Sequence, residues 1–341
     1  MTNPLQTSSK NPISTMLSST ASTQPATDTT SAFARSVLHG LSQAPKQLSS
    51  MYFYDERGDQ LFQDIMHMPE YYLMNCELNI FEQQKAQILE AIGLEHFHLL
   101  ELGAGDGYKT RLLLRYFMEQ SVDFEYQPID ISASVLQELE LRLREELPAL
   151  KVHPLPGDYF NVLHEVKETD TTPKVVLFLG ANIGNYPQER AVAFLRHLQD
   201  ELNTGDKLLV GFDLKKDPEV ILNAYNDPAG ITAAFNLNLL ERMNRELGAN
   251  FNIQDFRHWE SYDPVTGATR SFLVSTKAQH VFIKTLNQSF HFEAWEAVNV
   301  ELSQKYSLSE IEALAADSGF LVEQHFTDDR GYFVDSLWRK L

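Results

Sequence analysis

Apolar positions along the chain fall into two patterns, short unbroken runs and longer stretches with a single apolar face. The clearest run, 97–102, surrounds one acid with apolar and aromatic residues, which is typical of a buried parallel strand. Three glycines at alternate positions follow, and 109–117 then carries apolar residues on one helical face. This succession predicts a strand, a tight glycine turn and a helix, around which the rest of the chain is organised.

The same alternation of strand and helix patterns continues on both sides of this centre. Further strands are predicted at 124–130, 152–155, 174–179, 207–212, 320–326 and 331–338. Further helices are predicted at 75–92, 132–143, 187–198 and 308–316. Such alternation favours a doubly wound α/β sheet with helices on both faces.

Two regions do not fit this alternation. Residues 213–306 have helical patterns at 220–225 and 230–247, and then strand-like alternation at 270–276, 281–285, 290–292 and 297–303. They indicate an insertion or a second domain. Residues 1–30 are rich in Ser, Thr, Gln, Asn and Pro, which predicts a disordered tail, and we expect order from about Ala32.

Tyrosines are unusually dense before the first strand, at Tyr52, Tyr54, Tyr71 and Tyr72. They either pack at a domain junction or line a pocket that offers hydroxyls and aromatic faces to a cationic substrate.

Composition and charge exclude several classes of partner. The net charge of −19 repels phosphate backbones and anionic lipids, so we expect neither nucleic acid nor a membrane as partner. The single cysteine, Cys76, excludes an internal disulfide framework and favours the cytoplasm. The eleven histidines show no metal-ligand spacing, so we expect no metal site. Since no apolar stripe is left unassigned, we expect a monomer.

The glycine turn is the main candidate for a ligand site. Glycines at 103, 105 and 107 allow positive φ and let a ligand approach the backbone. The dinucleotide fingerprint would need its third glycine at Tyr108, and an acid at Glu101 suits an ammonium group better than a pyrophosphate. We therefore interpret the turn as a site for S-adenosylmethionine, with a nicotinamide site and a purely structural turn as alternatives.

Three polar residues follow the ends of successive predicted strands, namely Asp130, Asp158 and Asn185. Open α/β sheets bind ligands at the carboxyl ends of their strands, and Asp130 could hold ribose hydroxyls there. Each of these residues could instead cap the next helix, so both interpretations stay open.

Five sequence blocks also carry a family resemblance. They are Phe53-Tyr-Asp-x-x-Gly-x-x-Leu-Phe62, Met68-Pro-Glu-Tyr-Tyr72, Glu101-Leu-Gly-x-Gly105 with Lys109-Thr110, Phe178-Leu-Gly-x-x-Ile-Gly-Asn185 and Ala224-Tyr-x-Asp-x-Ala-Gly-x-Thr-Ala-Ala-Phe-Asn236. Together they resemble the histidine Nα-methyltransferases of ergothioneine biosynthesis, from about Leu41 to the C-terminus.

The resemblance implies a Rossmann-like class I methyltransferase sheet, formed by 78–214 and 306–341. A second, α+β domain for substrate would be formed by 31–77 and 215–305. The implied activity is S-adenosylmethionine-dependent trimethylation of the α-amino group of L-histidine to hercynine, the first step of ergothioneine biosynthesis.

The resemblance also implies roles for individual residues. Cofactor-binding residues would be Tyr54, Gly103, Lys109, Asp130, Asp158 and Tyr159. Substrate-binding residues would be Tyr71, Asn185, Tyr225, Glu301 and Ser303. In the family, the Asn and the insertion Tyr hold the substrate carboxylate, and the Glu-x-Ser pair holds the imidazole. Because the amine must lose a proton before each transfer, we expect Tyr54 as the catalytic residue that orients it, with either the phenol or solvent involved in the proton's removal.

The chain departs from the family pattern in its glycine turn and at Ser271, where the family often has a methionine. A changed pocket wall could alter substrate preference, so another amino acid, such as a tryptophan derivative, is the alternative substrate. A catalytically silent S-adenosylmethionine-binding regulator is the alternative from another class.

Overall fold

The computed structural model describes residues 27–341, with side chains from residue 32. The predicted disordered tail, 1–30, lies outside the described residues except for 27–30, which are helical, so order begins earlier than the predicted Ala32. The helices are α1 Thr27–Leu41, α2 Glu56–Met66, α3 Tyr72–Ile92, α4 Thr110–Glu119, α5 Ala133–Glu146, α6 Tyr159–Thr169, α7 Gln188–Asp200, α8 Pro218–Tyr225, α9 Ile231–Leu247 and α10 Leu308–Asp317. The strands are β1 His96–Leu102, β2 Asp123–Asp130, β3 Leu155–Pro156, β4 Lys174–Phe178, β5 Lys207–Asp213, β6 Phe256–Asp263, β7 Ala268–Ser275, β8 Gln279–Ile283, β9 Gln288–Phe292, β10 Ala297–Gln304, β11 Phe320–Thr327 and β12 Phe333–Lys340.

Seven strands form the central sheet, in the order β3-β2-β1-β4-β5-β12-β11. Strands β1 to β5 are parallel, while β12 is antiparallel to both β5 and β11. Every residue of β4 and β5 is buried, because helices cover both faces of the sheet. This is the predicted α/β class I methyltransferase sheet, and its terminal hairpin is β11-β12. The strand order reverses between β1 and β4, so the turn after β1 lies at the topological switch point.

A second layer contains a three-stranded antiparallel sheet, β10-β7-β6, and the hairpin β8-β9. Its apolar core combines the N-terminal segment with the insertion: Phe33 and Phe53 pack in the same cluster as Phe235, Leu273 and Phe292. The two segments assigned to the substrate region by the resemblance therefore share one core.

The proposed domain boundary at 77/78 lies inside α3. Tyr72, Leu73 and Cys76, in the first turns of this helix, pack in the core of the central sheet. We therefore propose that the division between the two regions falls just before Tyr72.

Three elements were not anticipated from the sequence, namely α2, α6 and β6, and β3 is shorter than predicted. Strand β6 lacks a clear apolar alternation because its outward residue Trp259 is 61% exposed while its inward residue Glu260 is 7% exposed. A half-buried strand is recognised by inward apolar and outward polar residues, and an outward tryptophan with an inward acid reverses that pattern.

Within the described residues, no helix is both long and apolar enough to cross a lipid bilayer.

Candidate functional site

The turn after β1 has the backbone that its glycines predict. Gly103, Gly105 and Gly107 have φ of 70°, 53° and 64°. A Cβ on Gly103 would lie 2.7 Å from the Tyr159 hydroxyl, and one on Gly107 would lie 2.6 Å from Leu139 Cδ1. A Cβ on Gly105 would meet nothing within 4 Å. The turn is therefore packed at its two ends and open in the middle, where a ligand can contact the backbone.

Glu101 is buried at the base of this turn. Its two carboxylate oxygens accept hydrogen bonds from the Thr110 hydroxyl at 2.6 Å and the Tyr126 hydroxyl at 2.5 Å. Burial raises the pKa of Glu101 to about 7, although these hydrogen bonds oppose the rise. The sequence suggested that this acid suits a ligand ammonium group. In the structure, both oxygens already bind protein hydroxyls that join β1, β2 and α4.

Lys109 follows the last glycine of the turn, and it forms an ion pair with Glu77 of α3. The other oxygen of Glu77 accepts a 2.8 Å hydrogen bond from the backbone N–H of Gly180, in the turn after β4. Glu77 was not identified from the sequence, because a single acid in an amphipathic helix has no local signal. It joins the two turns that flank the switch point.

A cleft lies between these two turns. Its walls include Gly103, Tyr108, Lys109, Gly180 and Asn182, together with Met74 of α3. The predicted cofactor residues Gly103 and Lys109 thus face one cleft at the carboxyl edge of the sheet.

Three further predicted cofactor residues, Asp130, Asp158 and Tyr159, lie near Gly103, whereas Tyr54 lies in the second cluster described below. Asp130 Oδ1 accepts a 2.9 Å hydrogen bond from the backbone N–H of Ser132. Asp158 Oδ1 caps α6 by accepting from the N–H groups of Phe160 and Asn161, at 3.1 and 3.4 Å. The capping interpretation left open by the sequence therefore holds for Asp158.

Tyr159 brings these groups together, because its hydroxyl contacts the Gly103 position. Burial raises the pKa of Tyr159, and the negative charges of Asp130 and Asp158 add to the effect. Asp130, Asp158 and Tyr159 are thus adjacent at the end of the cleft nearest β2.

Tyr71, Tyr225, Tyr54 and Glu301 form a second cluster. The rings of Tyr71 and Tyr225 meet edge to face, with centroids 6.4 Å apart. Burial raises the pKa of Tyr71 well above its usual value, and the neighbouring Tyr225, Tyr54 and Glu301 raise it further. Tyr54 packs against Phe235 at 5.7 Å while remaining 46% exposed overall. The structure therefore brings together residues that are as much as 247 positions apart in the chain.

Lys305 joins Ser303 and Tyr225 in a buried network. Its Nζ donates to the Tyr225 hydroxyl and to Ser303 Oγ, both at 2.7 Å, and lies 2.8 Å from Asp213 Oδ2. The Tyr225 hydroxyl and Ser303 Oγ are 3.0 Å apart. Lys305 is fully buried and was missed from the sequence, where it follows a strand-like stretch without a distinguishing pattern.

Asp213 links this network to the central sheet. Burial alone would raise the pKa of Asp213, but the charges of Lys305 and Lys216 lower it below the usual value, so it is ionised. The Tyr72 hydroxyl also donates to it, at 2.9 Å. Asp213 is the last residue of β5, as Asp130 is the last residue of β2. A search for polar residues at the ends of predicted strands could therefore have identified Asp213 as well.

Glu301 lies on β10, directly opposite Ser271 of β7. Ser271 Oγ donates to it at 3.4 Å, and burial raises the pKa of Glu301 to about 7 against the opposing charge of Lys305. Asn185 ends the short turn after β4, with its side chain exposed. That turn packs against β10, because a Cβ on Gly184 would lie 2.8 Å from the backbone oxygen of Gln304.

The sheet order, with a glycine turn at its switch point, defines a class I S-adenosylmethionine-dependent methyltransferase. The chain belongs to the family described as histidine-specific methyltransferase, SAM-dependent, whose model matches residues 33–340. Both the predicted family and the predicted cofactor are thereby confirmed.

Individual relatives carry three kinds of name. The chain is 35% identical over 306 residues to a histidine N-alpha-methyltransferase of Mycolicibacterium smegmatis, covering 90% of this chain and 94% of that protein. It is 32% identical over 283 residues to ergothioneine biosynthesis protein 1 of Schizosaccharomyces pombe, covering 80% of this chain and 36% of that protein. It is 24% identical to a 4-dimethylallyltryptophan N-methyltransferase of Claviceps purpurea, covering 83% of this chain and 88% of that protein.

Proposed function

We propose that this enzyme transfers three methyl groups from S-adenosylmethionine to the α-amino group of L-histidine. The product is hercynine, and the reaction is the first step of ergothioneine biosynthesis. The observation that carries the proposal is the cluster of Tyr71, Tyr225, Glu301 and Ser303, which combines acceptors for an imidazole N–H with donors for a carboxylate in a chain of this family.

In this proposal the two ends of the substrate are held by different groups. Glu301 accepts an N–H of the imidazole, and Ser303 serves the other ring nitrogen. Tyr225 and Asn185 hold the carboxylate, with the charge of Lys305 2.7 Å from the Tyr225 hydroxyl. Tyr71 packs edge to face on Tyr225 and limits its rotation.

The cofactor cleft supplies the second half of the alignment. We assign Gly103 and Lys109 to the amino-acid end of the cofactor, and Asp130, Asp158 and Tyr159 to its nucleoside end. When bound, S-adenosylmethionine supplies a sulfonium methyl group that a neutral amine can attack in line, with S-adenosylhomocysteine as the leaving group. Fixing the amine against that methyl group removes orientational freedom, which can lower the barrier substantially.

Tyr54 is assigned to orient the amine. Burial raises the pKa of its phenol, and the charges of Glu301 and Asp59 raise it further. A phenol that stays protonated near neutral pH is a hydrogen-bonding group and not a base. Since a phenol that stays protonated cannot accept the amine proton, we infer that solvent takes this proton before each transfer.

Mass spectrometry can test the proposal directly. The purified protein is incubated with S-adenosylmethionine and an equimolar mixture of the twenty amino acids. A gain of three methyl groups on histidine alone is the expected result. Methylation of another amino acid would keep the fold and cofactor but contradict the imidazole roles of Glu301 and Ser303. Cofactor binding without any methylation would favour a regulator.

We further propose that the enzyme works in the cytoplasm as a monomer. Its only cysteine, Cys76, is a buried free thiol, which is stable in a reducing compartment.

A further inference from the structure

Strand β6 carries a buried acid that the roles assigned above do not use. Glu260 is 7% exposed, and neither oxygen of its carboxyl group has a hydrogen-bond partner among the described residues. His258 Nε2 is 4.0 Å from Glu260 but bonds the backbone oxygen of Tyr225 at 3.0 Å. A buried carboxyl without a partner is costly, so a partner from outside the chain would stabilise it.

The sheet register puts Glu260 beside the substrate cluster. Ser271 of β7 is directly opposite Glu260 on one side and directly opposite Glu301 on the other. Side chains opposite each other on antiparallel strands point to the same face, with Cβ atoms about 4.5–5.5 Å apart. Two carboxyl groups therefore flank one small hydroxyl residue on the inner face of the sheet.

The surrounding charges connect Glu260 to the same site. Burial holds the pKa of Glu260 well above its usual range. The neighbouring Ser271 hydroxyl and the positive charge of Lys305 oppose this rise, and the negative charge of Glu301 adds to it. Burial raises the pKa of the Tyr225 hydroxyl well above its usual value, and the negative charge of Glu260 adds to this rise. Lys305 already binds Asp213, Tyr225 and Ser303, so it does not neutralise the two acids.

We propose that Glu260 and Glu301 together recognise the side chain of the substrate as a cation, each carboxyl group accepting one of the two N–H groups of an imidazolium ring. This inference rests on the proposed function, but it gives the second ring nitrogen, assigned to Ser303 above, to Glu260 as a further specificity-determining residue; Ser303 Oγ then stays with Lys305 and Tyr225. Ser271 lies between the two acids, where its small side chain leaves room for a ring.

The charge balance explains why two acids are used. Without a ligand, two neighbouring buried carboxylates would repel each other, so one of the two groups holds a proton. A ring that arrives with both nitrogens protonated allows both carboxylates to be ionised. A ring that arrives neutral gains the proton that one carboxyl group releases, and the bound state is the same.

Kinetics with ring-methylated histidines test the inference. L-histidine is compared with the isomers methylated on Nδ1 and on Nε2, since each isomer lacks one N–H. The native enzyme is expected to reject both isomers by about a hundredfold or more in kcat/KM, because each methyl group displaces one carboxyl contact. Glu260→Ala is expected to restore kcat/KM toward one of the two methylated isomers, and Glu301→Ala is expected to restore it toward the other.

A second substitution covers the case in which the truncated side chain disturbs folding. Glu260→Gln keeps the volume and should raise KM for L-histidine about tenfold with little change in kcat, because recognition in the ground state and transition state is lost equally. Glu293→Gln is the matched control, since that acid is 74% exposed and lies outside the site. Binding of S-adenosylhomocysteine, measured by calorimetry, should be unchanged in both variants.

Two results would overturn the inference. One is a native enzyme that methylates L-histidine and one ring-methylated isomer equally well. The other is a Glu260→Gln variant whose KM matches that of Glu293→Gln. Both leave the proposed function intact, whereas a native enzyme that does not methylate L-histidine would overturn the function and the inference together.

Discussion

The cofactor cleft and the substrate cluster are built in opposite ways. The cleft draws on one continuous stretch, 101–110, and on residues that end neighbouring parallel strands. The cluster draws on three distant stretches, around Tyr71, Tyr225 and Glu301, which meet only in the folded protein. One site is fixed by backbone geometry and the other by tertiary packing.

The two sites also differ in how their buried acids are satisfied. In the cleft, both oxygens of Glu101 accept hydroxyl hydrogen bonds. Beside the cluster, neither oxygen of Glu260 has a hydrogen-bond partner in the part of the chain that the structure describes. A satisfied acid stabilises the protein itself, while an unsatisfied one is available to a ligand. The comparison teaches that the acid in the cleft is satisfied within the protein, whereas an acid beside the cluster is left for a partner from outside it, which we propose is the substrate.

Lys305→Met gives the largest expected effect on the substrate side. The variant leaves Asp213 buried with only Lys216 as a charged partner, and breaking a buried ion pair costs about 3–5 kcal/mol of unfolding free energy. Urea denaturation measures the loss. Lys215→Met is the control, because its 2.7 Å pair with Glu310 is partly exposed and contributes about 1 kcal/mol or less. Equal losses in both variants would show that the buried network does not stabilise the junction.

Glu101 gives the corresponding effect on the cofactor side, as a pH dependence of stability. Its pKa is raised from the usual 4.5 to about 7, so between these pH values the folded chain holds a proton that the unfolded chain releases. The contribution of Glu101 to the unfolding free energy is therefore lost as pH rises from 4.5 to 7, by about 3 kcal/mol.

Glu101→Gln removes this titration but keeps the size of the side chain. Urea unfolding is measured for the native chain and the variant at pH 5 and pH 7.5. Other buried acids such as Glu301 titrate in both proteins, so the difference between the two proteins reports Glu101 alone. The native chain should lose more stability than the variant between the two pH values. Identical pH dependence would contradict a protonated Glu101 in the folded state.

Glu301→Ala should separate the two sites. Loss of a charge-assisted hydrogen bond to the imidazole costs about 2–3 kcal/mol, so KM for histidine should rise about 30- to 150-fold. Binding of S-adenosylhomocysteine should be unchanged by calorimetry, since Glu301 does not line the cleft. Unchanged histidine kinetics would remove Glu301 from the site.

The central sheet was predictable from the sequence because its signals are local. Buried parallel strands such as β4 and β5 are continuous apolar runs, and the glycines after β1 specify positive φ before any tertiary contact forms. Strand β6 was not predictable, since an outward Trp259 and an inward Glu260 invert the usual pattern. Its inward acid makes sense only beside Ser271 and Glu301.

The same distinction applies to the sites. Gly103, Asp130 and Asp158 were found by their positions after strands. Tyr54 was marked only as part of a dense tyrosine stretch, and Tyr225 and Glu301 entered only through the family resemblance, because no local rule separates them from packing or surface residues. Glu77 and Lys305 were missed altogether, since Glu77 pairs with Lys109, 32 positions away, and Lys305 bonds Tyr225, 80 positions away.

Asp130→Ala is the smallest expected change and tests whether strand-end position is enough to identify a cofactor residue. If Asp130 holds the ribose hydroxyls, the affinity for S-adenosylhomocysteine should fall about tenfold, which corresponds to about 1.4 kcal/mol.

Asp130→Ala also removes the hydrogen bond that the Ser132 N–H donates to Asp130 Oδ1, and loosening of α5 would mimic part of the effect. Asp130→Asn keeps that acceptor while removing the charge, and it should still weaken binding. Asp123→Ala, at the exposed opposite end of β2, is the control and should bind as the native chain does. Native affinity in both Asp130 variants would make Asp130 a turn residue, and the strand-end rule would then have found the cleft without finding its contacts.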